Sequence, residues 1–420
     1  MFKMYIRAFI ILSFLQLFNN TNLIAKTENY WEGKVRIINP GPPLNLDDID
    51  YAPYITQDGK YMFFSTGRVG NFINEEGYSH DIWLAIKSKS EDSAFSQIFN
   101  LSPPDKANSL INTIRNEGSV CISNDNKILY FTGCNRNDSH GSCDIFIALL
   151  QFQDNTIFVG DIINLGTQVN TKNFESAPSI TPDNMKLFYT KSDIRGKTYN
   201  ILEYGIRKLI DEKPTQDIWY SEFDTITKIW KPGIPLSIIN TKNDEMAPYI
   251  CPDNKTLIFS SNGRKDGFGG LDFYFTVLDS NGEWSEPKNL GKPFNTSDDD
   301  LGISFNGTGD IAYFSSKRDD IEGEQGDYDI YMAYLSEPFF KEARTISWQQ
   351  LSDATVLIDI YDNSGNPVNS INMGFQKSGR HSFQWDGLDS KGITLPTGVY
   401  QFEITIGNEM PEPPRVLRIK

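Results

Sequence analysis

The chain has 420 residues, enough for two or three domains with cores of their own. Aromatic residues make up 13% of it, alongside 32 Gly and 21 Pro, the composition of many short strands joined by turns. Acidic residues exceed basic ones by 55 to 39, and the net charge of −16 argues against nucleic acid or an anionic membrane surface as partner, since either would repel the chain.

The N-terminus reads as an export signal of residues 1–25. Lys3 and Arg7 give a positive start, Ala8 to Phe18 form a short apolar core, and polar Asn19 to Asn22 precede Ala25, a small residue suited to cleavage. An apolar run of ~11 residues is well short of the ~20 that a bilayer-spanning helix needs. No Cys follows the core, so a lipoprotein anchor is not expected, and no transmembrane segment is expected once the signal is removed. The mature chain is therefore expected in the periplasm, associated with the outer membrane, or secreted.

Internal repetition dominates the next three hundred residues. DYAPYITQDGKYMFFST (50–66), EGSVCISNDNKILYFTG (117–133), ESAPSITPDNMKLFYTK (175–191), EMAPYICPDNKTLIFSS (245–261) and DLGISFNGTGDIAYFSS (300–316) align without gaps. Each opens on an acid (Asp50, Glu117, Glu175, Glu245, Asp300), and five residues before each acid stands an asparagine: Asn45, Asn112, Asn170, Asn240, Asn295. A short strand leads to a turn such as Asp58-Gly59 or Asp183-Asn184, which supplies positive φ for a hairpin. A second strand follows, then a polar loop of variable length. The third strand opens on Asp81, Asp144, Asp217, Asp272 or Asp329, and a fourth lies in 95–101, 158–165, 229–236 or 283–290.

Four antiparallel strands repeated radially make a β-propeller, which leaves no long free edge. Only four outer strands lie between repeats. The missing one is YWEGKVRI (30–37), ahead of the first repeat, so it is expected to pair with the last blade as a clasp. The fold class is thus all-β: a five-bladed propeller over 26–337, with blades around 50–88, 117–165, 175–236, 245–290 and 300–335, then an immunoglobulin-like β-sandwich over 338–420. Six blades are the alternative, if the stretch from Ser192 to Gln216 hides a hairpin instead of an inserted loop.

The P-x-[IV]-[ST]-x-D-[GN]-K core followed by Asp-Ile-aromatic resembles the TolB-like (WD-repeat-like) propeller repeat, over about residues 30–335. That resemblance implies a periplasmic setting and a peptidoglycan-associated partner. TolB itself has six blades.

After Leu335 the period breaks, and 336–353 is expected to be a linker without a long apolar strand, letting the two domains fold separately. In HSFQW and VYQFEI, apolar and polar residues alternate, as in the strands of a small sandwich. Trp385-Asp386-Gly387, Asp389, Gly392, Pro396 and Gly398-Val399-Tyr400 resemble the FlgD-type immunoglobulin-like domain. Asp386 and Asp389 have two readings, a calcium site or a tight turn; acid-Gly clusters are ordinary turn chemistry.

Catalytic signatures are sparse. His381 alternates with core aromatics, while His80 and His140 share no metal-ligand spacing, and Gly302 to Asn306 misses the last glycine of a nucleophile elbow. No phosphate loop or dinucleotide fingerprint appears, and no cofactor or resident metal is expected. Cys134 and Cys143 bracket a polar loop and are expected to be bridged, with metal binding beside His140 as the rival; Cys121 and Cys251 fall in apolar strands as buried thiols.

All the long loops lie on one face, where recognition is usually placed. The acids Asp50, Glu117, Glu175, Glu245 and Asp300 lie near the axis. They have two readings: a ring that binds cations or a basic peptide, or acceptors for backbone N–H groups where blades meet. Arg68, Arg136, Arg264 and Arg318 are expected to pair with Asp81, Asp144, Asp272 and Asp329 to hold the hairpins. The function expected is a monomeric, non-enzymatic binding scaffold of the envelope or cell surface, recognising a protein or glycan through its long-loop face. The alternative is a propeller enzyme, a lyase or hydrolase of an extracellular polymer.

Overall fold

The computed structural model describes residues 30–419, apart from 75–76, 88–94, 103–110, 125, 154–155, 193–214, 225, 324–325, 341–344, 351, 397 and 409–414. The export signal and nearly all of the expected insertion after Ser192 lie outside the described residues. What is described is all β, without a helix.

Each repeat heads an antiparallel sheet. The first runs Asp50–Ile55, Tyr61–Thr66, Asp81–Lys87, Phe95–Asn100, and the second Glu117–Ile122, Ile128–Cys134, Cys143–Gln153, Thr156–Asn164. The third runs Phe174–Ile180, Lys186–Ser192, Gln216–Asp224, with the short pieces Ile229–Trp230 and Ile234–Pro235 outside them, and a single parallel pairing joins it to the second. The fourth runs Glu245–Ile250, Thr256–Ser261, Asp272–Val277, Lys288–Asn289. The fifth, Asp300–Phe305, Ile311–Ser316 and Asp329–Leu335, takes its outer strand from the N-terminus: Val35–Ile38 pairs antiparallel with Asp329–Leu335. Trp31 anchors that return, buried against Phe294 and Phe339 with its indole N–H donated to Leu290 O.

The turns behave as their sequences dictate. Gly59, Asn126, Asn184, Asn254 and Gly309 all sit at left-handed φ between the first two strands of their repeats. A second left-handed position recurs in mid-strand, at Ala52, Ser119, Ala177, Ala247 and Gly302, where the register to the second strand slips. These are β-bulges, and each turns a backbone N–H sideways. Ala52 N–H donates to Ser315 Oγ (2.8 Å), Ser119 to Ser65 Oγ (3.0 Å), Ala177 to Thr132 Oγ1 (3.0 Å) and Ala247 to Thr190 Oγ1 (2.9 Å). Each hydroxyl belongs to the preceding repeat, and the last repeat serves the first. The inner strands are therefore stitched side by side about an axis, the arrangement of a β-propeller.

Apolar side chains fill the spaces between sheets. Phe63, Ile82, Leu84, Leu129 and Phe131 pack together between the first two, and Phe273, Phe305, Phe314 and Tyr331 between the last two. Burial of side chains this size stabilises the fold by roughly 1.5–3 kcal/mol each.

The C-terminal part holds two sheets, Thr345–Gln350 with Gly379–Gln384, and Pro367–Gln376, Ala354–Asp362, Gly398–Ile406, Arg415–Ile419 in that order. The expected linker 336–353 is corrected here. Phe339 and Phe340 are buried in the propeller core, and 345–350 is a strand of the sandwich with Ile346, Trp348 and Gln350 buried in alternation. That period-2 pattern is short and carries only two apolar residues, which is why it reads as linker.

Candidate site: a blind axial cavity beneath the long loops

The acids that open the repeats are 0–1% exposed and fully engaged. Asp50 accepts the Leu46 N–H, and Glu117, Glu175, Glu245 and Asp300 each accept both the N–H and the hydroxyl of a threonine four residues earlier. Each also meets a cation: Arg68–Asp50, Arg136–Glu117 (3.1 Å), Lys191–Glu175 (3.6 Å), Arg264–Glu245 (3.3 Å) and Arg318–Asp300 (3.1 Å). The arginines also donate to carbonyls of the loop before the acid, as Arg318 does to Pro293 O and Phe294 O. Of the two roles open to these acids, the geometry is that of acceptors holding the loop between repeats.

The expected pairing of these arginines with the third-strand aspartates does not occur. Asp81 instead accepts from Ser79 Oγ and Asn100 Nδ2, Asp144 from the N–H groups of His140 and Gly141, Asp272 from Phe268 N–H, and Asp329 from Asn39 Nδ2. The cause is position: the loop turns its arginine inward over the opening acid, while the aspartate is met by N–H groups of its own loop at Asp144 and Asp272 and by an asparagine amide at Asp81 and Asp329. Burial outweighs these bonds enough to push Asp81 and Asp272 up to about 6, and Glu117 up to about 7.

The repeat asparagines act between sheets. Asn45 gives and takes one hydrogen bond each with the backbone of Ile330, and Asn112, Asn170, Asn240 and Asn295 do the same with Ile82, Ile145, Ile218 and Phe273. Each thus extends the third strand of the preceding repeat, and Asn45 makes the link from the last repeat to the first.

With the acids withdrawn, the axis is left neutral. A cavity of about 130 Å³ lies among the inner strands, lined by residues such as Tyr51, Ser176, Met246 and Leu301 at the end near the long loops. Tyr54 and Tyr249 meet edge to face across its depth with ring centroids 6.2 Å apart. Their hydroxyls are tied to Ile122 O and Phe305 O, and burial pushes both phenols far up. The channel is therefore plugged and opens toward the long loops. No lining residue is acidic or basic.

Tyr51 shapes one side of the mouth. Its hydroxyl lies 3.1 Å from His80 Nδ1, and its ring leans over Gly118, where an added Cβ would fall 2.6 Å from Ser65 Oγ and 3.3 Å from the Tyr51 hydroxyl. Burial lowers the His80 pKa and holds Tyr51 up at about 12, so both stay neutral near pH 7. Sequence reasoning passed over this cavity, although the signal was present: one repeat position holds only Ala, Ser or Gly, as a bulge facing a narrow axis requires.

Elsewhere, Cys134 and Cys143 form a disulfide between directly paired residues, and Cys121 and Cys251 are buried thiols outside it. Asp389 accepts the N–H groups of Lys391 and Ile393, and Asp386 that of Leu388, so both shape turns. His381 stacks on Trp348. Among the described residues no cluster of three or more His, Cys, Asp or Glu could hold a metal, and no helix is long and apolar enough to cross a membrane.

Residues 336–409 match the family model of the FlgD Ig-like domain. The chain is 36% identical over 63 residues to the basal-body rod modification protein FlgD of Salmonella typhimurium, covering 15% of this chain and 27% of that protein. The chain thus spans about a quarter of the curated relatives it matches. In structure it is similar to a glycoside hydrolase (10% identity, TM-score 0.44, 74% of this chain and 94% of that one). It is also similar to a GH43 endo-arabinanase from Bacillus licheniformis (12% identity, TM-score 0.37, 79% and 99%). The expectation of a non-enzymatic chain is corrected by this likeness. At these identities the likeness assigns no activity to this chain.

Proposed function

We propose that the mature chain is an exported propeller of five blades that binds a neutral group of an extracellular glycan or protein in its axial cavity, entered from the long-loop face. The FlgD-like module then serves as spacer, envelope anchor or export signal. The observation that carries this reading is the cavity itself: a blind, uncharged recess at the axis, walled by the inner strands, with its mouth at the end near the long loops. Its volume suits one side chain or one sugar unit more than an extended polymer.

The test is capture of immobilised neutral glycans and unfolded peptides by the mature chain, compared with Ala247→Leu, whose side chain would fill the cavity. Loss of capture with an unchanged melting temperature supports the reading; undiminished capture refutes it. The same incubations are assayed for released sugars. A cleaved glycan would assign the hydrolase reading, with carboxylates supplied from the long loops, because none lines the axis.

A further inference from the structure

The second repeat departs from the other four at its outer side. Its third strand has 11 residues and its outer strand, Thr156–Asn164, has 9; the outer strands elsewhere have 6 residues or fewer. Thr156–Asn164 pairs only with Cys143–Gln153, so its other edge carries no partner strand among the described residues. It contains neither Pro nor Lys; its register slips once, at a bulge around Gly160-Asp161, leaving Thr156–Val159 and Ile162–Asn164 as the paired stretches.

Its two faces differ. Ile157, Val159 and Ile162 pack on the core between the first two sheets. On the opposite face Phe158 and Ile163 are each 51% exposed, with Leu149 of the neighbouring strand 46% exposed. Beside Ile163 lies an open groove of about 500 Å³ that includes Asp138 and Asp161 in its lining. Arg136, also in its lining, is already bound to Glu117 and Ile111 O.

We propose that Thr156–Asn164 is a docking edge for an extended segment of a partner protein, one that alternates apolar residues with Lys or Arg. The segment adds as a further strand, its backbone bonding the free edge. Its apolar residues cover Phe158 and Ile163, and its cation enters the groove between Asp138 and Asp161. Charge decides against a second copy of this chain, which at −16 repels itself and would bring acid to acid. This surface is separate from the axial cavity, so the two proposals stand or fall independently.

The probe is a fluorescein-labelled Val-Lys-Val-Thr-Val-Lys-Val peptide titrated with the mature full chain by anisotropy. Binding is expected, with affinity falling as salt rises, and a Glu-for-Lys peptide is expected to bind at least tenfold more weakly. The double variant Phe158→Lys, Ile163→Lys is expected to lose tenfold or more, and Asp161→Asn a smaller factor, while melting temperatures stay unchanged. Ala247→Leu should leave this binding intact. Equal binding of the two peptides, full binding by the double variant, or a concentration-dependent dimer that the double variant abolishes would overturn the proposal.

Discussion

The third and fifth repeats solve the same electrostatic problem with different side chains. In the fifth, Arg318 is 1% exposed and bonds Asp300, Ser316 Oγ and two loop carbonyls. In the third, Lys191 reaches Glu175 at 3.6 Å from the adjoining strand and lies over the Trp219 ring. The carboxylate and its threonine are the constant parts. Arginine adds a planar fork that also ties the loop, whereas lysine supplies little beyond charge.

Breaking the fifth repeat should have the largest effect. Arg318→Ala leaves Asp300 buried without its cation and is expected to cost about 3–5 kcal/mol in denaturant unfolding. Trp31→Ala should cost a similar ~3–5 kcal/mol by emptying the anchor of the N-terminal strand. Reducing the Cys134–Cys143 bond, which closes a short loop, should cost at most about 2–3 kcal/mol, read as a lower melting temperature without loss of the sheet signal. Lys191→Ala is expected to cost less than Arg318→Ala, by at least about 1 kcal/mol, because Glu175 is less completely enclosed by its cation.

The second repeat adds a pH handle. Glu117 sits at about 7 in the fold against 4.5 ordinarily, raised by burial against the pull of Arg136. The folded state therefore holds this proton more tightly. Its contribution to stability is present below about 4.5 and is lost as pH rises through 7. Glu117→Gln should flatten the fall in melting temperature across that window; an unchanged slope would show that other groups set it.

The repeat pattern made most of the fold legible. Asn45 through Asn295 marked the unit, the Asp-Gly and Asp-Asn turns marked the hairpins, and the surplus strand before the first repeat pointed to its pairing with the last. The partner of each arginine was not legible, because spacing along the chain cannot say which of two acids a loop folds over. The axial cavity was hidden for a related reason: its wall comes from five distant segments, and its floor from Tyr54 and Tyr249, which alignment places at one repeat position without saying that they meet. Thr345–Gln350 was missed because two apolar residues make a weak alternation.

On this reading the acids hold the repeats together, and the neutral axial cavity is proposed to receive the ligand. A crystal structure of the mature chain with a captured glycan or peptide tests it most directly. Ligand is expected between Tyr51 and Met246 above the Tyr54–Tyr249 floor, with Asp50, Glu117, Glu175, Glu245 and Asp300 still bonded to their loops. Ligand bound directly by those carboxylates, with the cavity empty, would contradict it.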